Sequence, residues 1–265
     1  MSKLYVAKSE NLSLAWAEVF LQLMGRGVAE IAPAVITITD FDERSLPREI
    51  PELRQAIDAV NKQSYRTVAS TIFPNSLWVP EGKDNAERLY ARYEKVWGTI
   101  AKCPANSKGV YFRRLTAYKP QLENEDQEHR PVNQLTHIIE TYGRGNHRHS
   151  ALQAAIFDPT RDHTHNRQRG FPCLQQVAFN HSDNQLEVTG FYALQHHVPK
   201  AYGNYLGLCW LSRFMARQMG LQLSQVTCIA SSLKLPTGDG YTKSGLTPLK
   251  QTLERILQQH DMRAA

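Results

Sequence analysis

The residue best suited to covalent chemistry in this chain is a cysteine. Gly170-Phe171-Pro172-Cys173-Leu174-Gln175-Gln176-Val177-Ala178-Phe179 puts Cys173 directly after a proline and before a run of strand-forming residues. Proline fixes φ and blocks a helix, while Val177 to Phe179 read as a strand. The thiol therefore stands where an irregular segment enters a sheet, and can face a cleft. The polar loop Pro159 to Arg169 just before it carries Arg161, His163, His165, Arg167 and Arg169. Cationic neighbours lower a thiol pKa and enlarge the thiolate fraction, the nucleophilic form. Without them a free cysteine behaves as a small hydrophobe. Cys209 and Cys228 lie in apolar runs and Cys103 sits at a helix end, so neither setting resembles that of Cys173.

Asn204, in Ala201-Tyr202-Gly203-Asn204-Tyr205-Leu206-Gly207-Leu208, is the second candidate. At the start of a helix its side chain can cap free backbone N–H groups. The same amide offers one acceptor and paired donors, the complement of a pyrimidine's O4 and N3 edge. His147-x-His149, His163-x-His165 and His196-His197 invite a metal reading, but i,i+2 spacing without companion Cys, Asp or Glu ligands is not a metal signature. A Cys-His hydrolase would need a histidine partner for Cys173, which spacing does not single out.

The elements that must position these residues are read from periodicity. Asn11 to Met24 has helical spacing and ends at Gly25 and Gly27, Ala34 to Thr39 is β-branched, and Pro51 to Lys62 is a helix with proline in its first turn. Arg66 to Pro74 reads as a short strand, Asn85 to Lys102 as a helix with Leu89, Tyr93, Val96 and Ile100 on one face, and Gly109 to Tyr118 as a strand that sends Arg113 and Arg114 to opposite faces. Pro131 to Ile139 resumes a helix that stops at Gly143 and Gly145, and Ser150 to Asp158 is a strand. Residues 173–180 and 185–195 form a hairpin, Tyr202 opens a helix ending at Gly220, Gln225 to Ala230 is a strand, and a last helix starts at Leu246 or Thr247. One α+β domain over residues 1–265, a mixed sheet covered by helices, accommodates all of this.

The 265 residues suffice for a full core. No apolar run approaches the ~20 residues of a membrane span, and the N-terminus lacks the apolar centre of a secretory signal, so a cytoplasmic protein is expected. Four separated cysteines exclude a zinc ribbon and a Cys-x-x-Cys redox motif. The formal charge of +6 favours an anionic ligand. The basic residues are scattered rather than striped, which points to a nucleotide or phosphate instead of a nucleic-acid polymer.

Asn133-Gln134-Leu135 on a helix, a basic turn at Arg148, a strand ending at Asp158-Pro159, Phe171-Pro172-Cys173, and Asn204 opening an apolar helix together resemble the thymidylate synthase and pyrimidine hydroxymethylase superfamily. The resemblance covers about residues 131–235, with Thr71-Ile72-Phe73-Pro74 and Tyr111-Phe112-Arg113-Arg114 similar to parts of a divergent branch. It implies that Cys173 adds to C6 of a pyrimidine nucleotide, that Asn204 reads the base, and that 5,10-methylenetetrahydrofolate supplies a one-carbon unit to C5. It further implies phosphate binding by Arg148 and a homodimer with sheets back to back, in which phosphate ligands cross between subunits. A non-catalytic nucleotide-binding or regulatory protein that keeps the fold is the alternative. The family's histidine after the nucleophile is Leu174, its Arg-Ser-x-Asp stretch reads Ala193-Leu194-Gln195-His196, its His-x-Tyr is replaced around Ser232 to Leu235, and the apolar closing tail is absent from Gln258 to Arg263. Lys200, Lys234, Arg167 and Arg169 are the residues available to substitute as substrate-binding cations.

Overall fold

A computed structural model describes residues 4–80, 86–119, 130–165, 171–236 and 241–264, with the side chains of residues 261–264 left aside. In chain order the elements are β1 (Tyr5–Ser9), α1 (Leu12–Met24), β2 (Glu30–Ile31), β3 (Ala34–Ile38), α2 (Pro51–Val60), α3 (Tyr65–Ile72), α4 (Ala86–Lys102), α5 (Tyr111–Thr116) and α6 (Gln134–Gly143). They continue with β4 (Gln153–Ala155), α7 (Pro159–Asp162), β5 (Leu174–Ser182), β6 (Gln185–Tyr192), β7 (Gln195–His196), α8 (Tyr202–Met219), β8 (Gln222–Ala230), β9 (Leu233–Lys234) and α9 (Thr247–Ala264).

Six strands form one mixed sheet in the order β1-β3-β8-β6-β5-β4, and β2-β9-β7 form a small second sheet. β5 and β6 are the expected hairpin, turning at Asp183 and Asn184 with φ of 46° and 64°. Two successive left-handed residues give the turn a twist that matches its strands. β6 and β8 run parallel and therefore need a crossover, which β7, a π-helical turn at His197–Ala201 and α8 provide.

One sheet face is apolar: Leu174, Val177 and Phe179 on β5, Val188 and Tyr192 on β6, Val226 and Cys228 on β8, and Ile36 on β3 are buried. α8 packs on this face. Its Leu208 would collide with any side chain at Gly190, where an added Cβ would lie 2.7 Å from Leu208 Cδ1. On its other side α8 meets α3 at backbone distance, an added Cβ at Gly203 falling 2.6 Å from the Tyr65 carbonyl oxygen and one at Gly207 falling 2.7 Å from that of Ala69. The opposite sheet face carries the cross-strand row Val6, Val35, Ile229, Phe191, in which Val6 is 64% and Phe191 40% exposed.

Two expected strands are helices. Arg66 to Pro74 contains α3, started by Ser64, whose hydroxyl accepts from the Arg66 N–H, and fixed by the groove that Gly203 and Gly207 leave on α8. Tertiary contact outweighs β propensity there. Gly109 to Tyr118 contains α5, so Arg113 and Arg114 are neighbours on a helix rather than alternating across a sheet; Arg114 is buried and Arg113 half-buried. The strand expected over Ser150 to Asp158 is only β4, because a 3-10 turn takes His149–Ala151 and Asp158 caps α7 by accepting from Thr160 N. The helix expected from Pro131 starts at Gln134, with Asn133 accepting from Thr136 N as its cap. Among the described residues no helix is long and apolar enough to cross a membrane, and the four cysteines are free thiols.

Candidate functional site

The site assembles at the end of the main sheet where β6 and β8 finish and β5 begins. Leu174 pairs with Tyr192, the Ala193 N–H donates to Cys173 O at 3.0 Å, and Ser231 N–H donates to Tyr192 O at 2.8 Å. Beyond that edge β7 and β9 pair in parallel and set His196 opposite Lys234. Cys173 is half-buried. Its own N–H donates to the Tyr111 hydroxyl oxygen at 3.3 Å, an interaction that exists because α5 is a helix.

Burial raises the Cys173 thiol pKa, and Lys200 and the Tyr111 hydroxyl partly offset it by favouring the thiolate. The net direction is upward, which corrects the expectation of a lowered thiol. The reason is that Phe171 and Leu174 flank the residue in the core, and desolvation disfavours the charged form more than one ammonium restores it. Lys200 lies on the π-helical turn, where its Nζ donates to Gln63 Oε1 at 2.9 Å. Its own pKa is lowered by withdrawal from water, with Cys173 acting in the opposite sense. His196 is likewise pushed down, by burial first and then by the charges of Lys234 and Lys200, so its imidazole is neutral at neutral pH.

Asn204 is 5% exposed and is the third residue of α8. The cap position belongs to Ala201, which makes no side-chain cap bond, so the capping role expected of Asn204 is overturned. Leu208 touches Gly190, and Asn204 lies four residues earlier on the same helix face, one turn nearer the Cys173 end of the sheet. Beneath this end, Tyr192 Oη, Tyr205 Oη, Gln195 Oε1 and His196 Nδ1 are buried without hydrogen-bond partners. Buried polar atoms almost always find partners, and a bound water or ligand can supply them here.

The expected residues divide accordingly. Cys173, Asn204 and Lys234 come to one end of the sheet, with Lys200. Arg148 does not: His149 Nδ1 is 3.0 Å from Asn180 Oδ1, seven residues along β5 from Cys173. At roughly 3.3 Å per residue this puts Arg148 about 20 Å away within one chain, where it is exposed. Arg167 and Arg169 lie outside the described residues. Tyr111 is a site residue whose role the sequence did not reveal, although its segment was already singled out; reading that segment as a helix would have turned its side chain toward Cys173. Among the described residues no group of three or more His, Cys, Asp or Glu is placed to hold a metal ion.

No protein-family model matches the chain, and no curated protein matches it.

Proposed function

We propose that the protein is a divergent member of the thymidylate synthase and pyrimidine hydroxymethylase superfamily. On this reading it transfers a methyl or hydroxymethyl group to C5 of a pyrimidine nucleotide through a Cys173 adduct. The observation that carries the reading is the meeting of Cys173 with Tyr111 and Lys200 at the sheet end where α8, carrying the buried Asn204, begins.

The Cys173 thiolate adds to C6, and the electron pair moves through C5 to the carbonyl oxygen at C4, giving an enolate. C5 then bonds to the one-carbon electrophile, and loss of the C5 proton to a base breaks that carbon's bond to its donor nitrogen and leaves an exocyclic methylene. Addition of hydride (methyl product) or water (hydroxymethyl product) to the methylene expels the thiolate and restores the C5–C6 double bond. Methylenetetrahydrofolate, when bound, supplies that electrophilic carbon and, for a methyl product, the hydride. Asn204 holds the O4 and N3 edge. Neutral His196, with Nδ1 unpartnered, is suited to take the C5 proton. The charged neighbours felt by Cys173, Lys200 and His196 are each other and Lys234, and none is a carboxylate, which fits an anionic nucleotide and an anionic folate.

Arg148 reaches a phosphate in this reading from a second subunit. The exposed Val6 and Phe191 on the open sheet face support a homodimer with sheets packed back to back. A second reading, a nucleotide-binding protein without catalysis, is favoured by one observation, the raised pKa of the Cys173 thiol.

Intact mass after incubation with 5-fluoropyrimidine nucleotides, with and without methylenetetrahydrofolate, separates the two. A nucleotide adduct that disappears in Cys173→Ala supports transfer. Nucleotide affinity retained by Cys173→Ala, with no adduct in the wild type, supports binding alone, and no adduct and no affinity would sink both.

A further inference from the structure

Beside Phe171, whose ring Gly109 and Arg114 approach, a cavity of about 580 Å³ is lined by Lys108, Arg113, Arg114, Lys119, Arg161 and Trp97 together with small and apolar residues, and its described lining contains no carboxylate. Two of these cations are fixed in place. Arg114 is buried and gripped by Asp162 through two 2.9 Å bonds, and it donates a further bond to Ile156 O. Arg113 pairs with Glu94 and lays its guanidinium over the Trp97 ring, 4.8 Å from the centroid. Arg161 donates from Nη1 to the Lys119 carbonyl oxygen at 3.2 Å. Lys108 and Lys119 have no ion-pair partner among the described residues.

Behind this wall stand three carboxylates. Glu94 and Asp162 are the partners just named, and Asp158 accepts from Thr160 and feels the charge of Arg114. Among the described residues, five cations stand against three carboxylates around this concave space, an excess of two positive charges. A cleft of one sign with low-dielectric walls focuses its field and concentrates counter-charge. Its volume falls within the ~300–1,000 Å³ of small-molecule sites. Guanidinium forks already held by ion pairs and stacking present their remaining donors without further ordering, in the geometry that phosphate oxygens accept.

We infer that this cavity is a second ligand site, which takes a small molecule carrying two or more linked phosphates. The inference does not rest on Cys173 chemistry, because neither Cys173 nor Asn204 lines the cavity and the probes need contain no pyrimidine.

The test is calorimetric titration of the full chain with inorganic tripolyphosphate, alongside a purine nucleoside diphosphate. Saturable binding that weakens at least about tenfold in a Lys108→Gln, Lys119→Gln, Arg161→Gln triple variant, and that falls as salt rises, is the expected result. A Lys250→Gln control, outside the cavity lining, leaves it unchanged. If the nucleotide displaces tripolyphosphate, the ligand's phosphates belong to a nucleotide; if tripolyphosphate alone binds, the site takes free polyphosphate. The three substituted side chains are exposed, and an unaltered circular dichroism melt checks the fold; should the triple variant melt early, Lys108→Gln alone is expected to weaken binding a few-fold. Absence of saturable binding, or binding that the substitutions leave intact, overturns the assignment.

Discussion

His197 makes the structure's acid sensitivity a quantitative matter. Its side chain is fully buried, stacked on Trp16 with ring centroids 4.6 Å apart, and its Nε2 lies 3.0 Å from the Trp16 carbonyl oxygen. A carbonyl only accepts, so Nε2 carries the proton and Nδ1 is bare, and Nδ1 has no partner. Protonating it would place an unpaired charge in the core, and burial accordingly pushes its pKa from 6.5 down to about 3, the bond to Trp16 opposing weakly. Between those two values the unfolded chain binds a proton that the folded chain refuses. Stability therefore rises with pH across this window and falls as pH drops below the unfolded value. The limiting slope is about 1.4 kcal/mol per pH unit, so lowering pH from 7 to 5 should remove about 2 kcal/mol through this one group. In His197→Phe the ring stack persists and the titrating group is gone. Urea unfolding of both proteins at pH 7, 6 and 5 should show the wild type losing stability more steeply by that amount. Parallel pH dependence in the two proteins would refute the reasoning. The same π-helical turn carries Lys200, whose ammonium acts on the Cys173 thiol.

Lys200→Met should raise the Cys173 thiol pKa further, since burial already raises it and the ammonium is the larger of the two opposing influences. The pH midpoint of Cys173 alkylation, followed by peptide mass because Cys103 is also exposed, should move upward, and an unmoved midpoint would exclude the coupling. Arg114→Met should cost about 3–5 kcal/mol by removing the guanidinium that neutralises the buried Asp162 carboxylate. Adding Asp162→Asn should recover a good part of that loss in thermal unfolding, and no recovery would show that packing, not charge, was at stake.

The long, strongly periodic elements were legible in the sequence: α1 and α8 between their stops, the β5–β6 hairpin from its turn residues, and the α+β class. The two helices misread as strands are short, and their conformations depend on distant partners. The groove that receives α3 is made by Gly203 and Gly207, and the neighbour of α5 is Phe171 packed on Gly109. Local β propensity cannot register either. At the site, Pro172-Cys173 and Asn204 were legible because a proline and an apolar helix locate them. The direction of the thiol's shift was not, because it depends on how much water the folded core removes. Neither was the remoteness of Arg148, which follows from the pairing of β4 along β5.

The place of β3 in the sheet also constrains how the chain folds. β3 pairs with β8, and β1 reaches the sheet only through β3. On a ribosome the first strands of this protein must therefore wait for almost the last one before they can join. Until then the apolar faces of Ala34–Ile38 and α1 have no sheet to rest on. Such late, long-range closure is slow and leaves surface exposed to wrong partners. The site at the end of β6 and β8, which draws on α5 and on residues 173 to 234, is likewise completed only once β8 and β9 have been made.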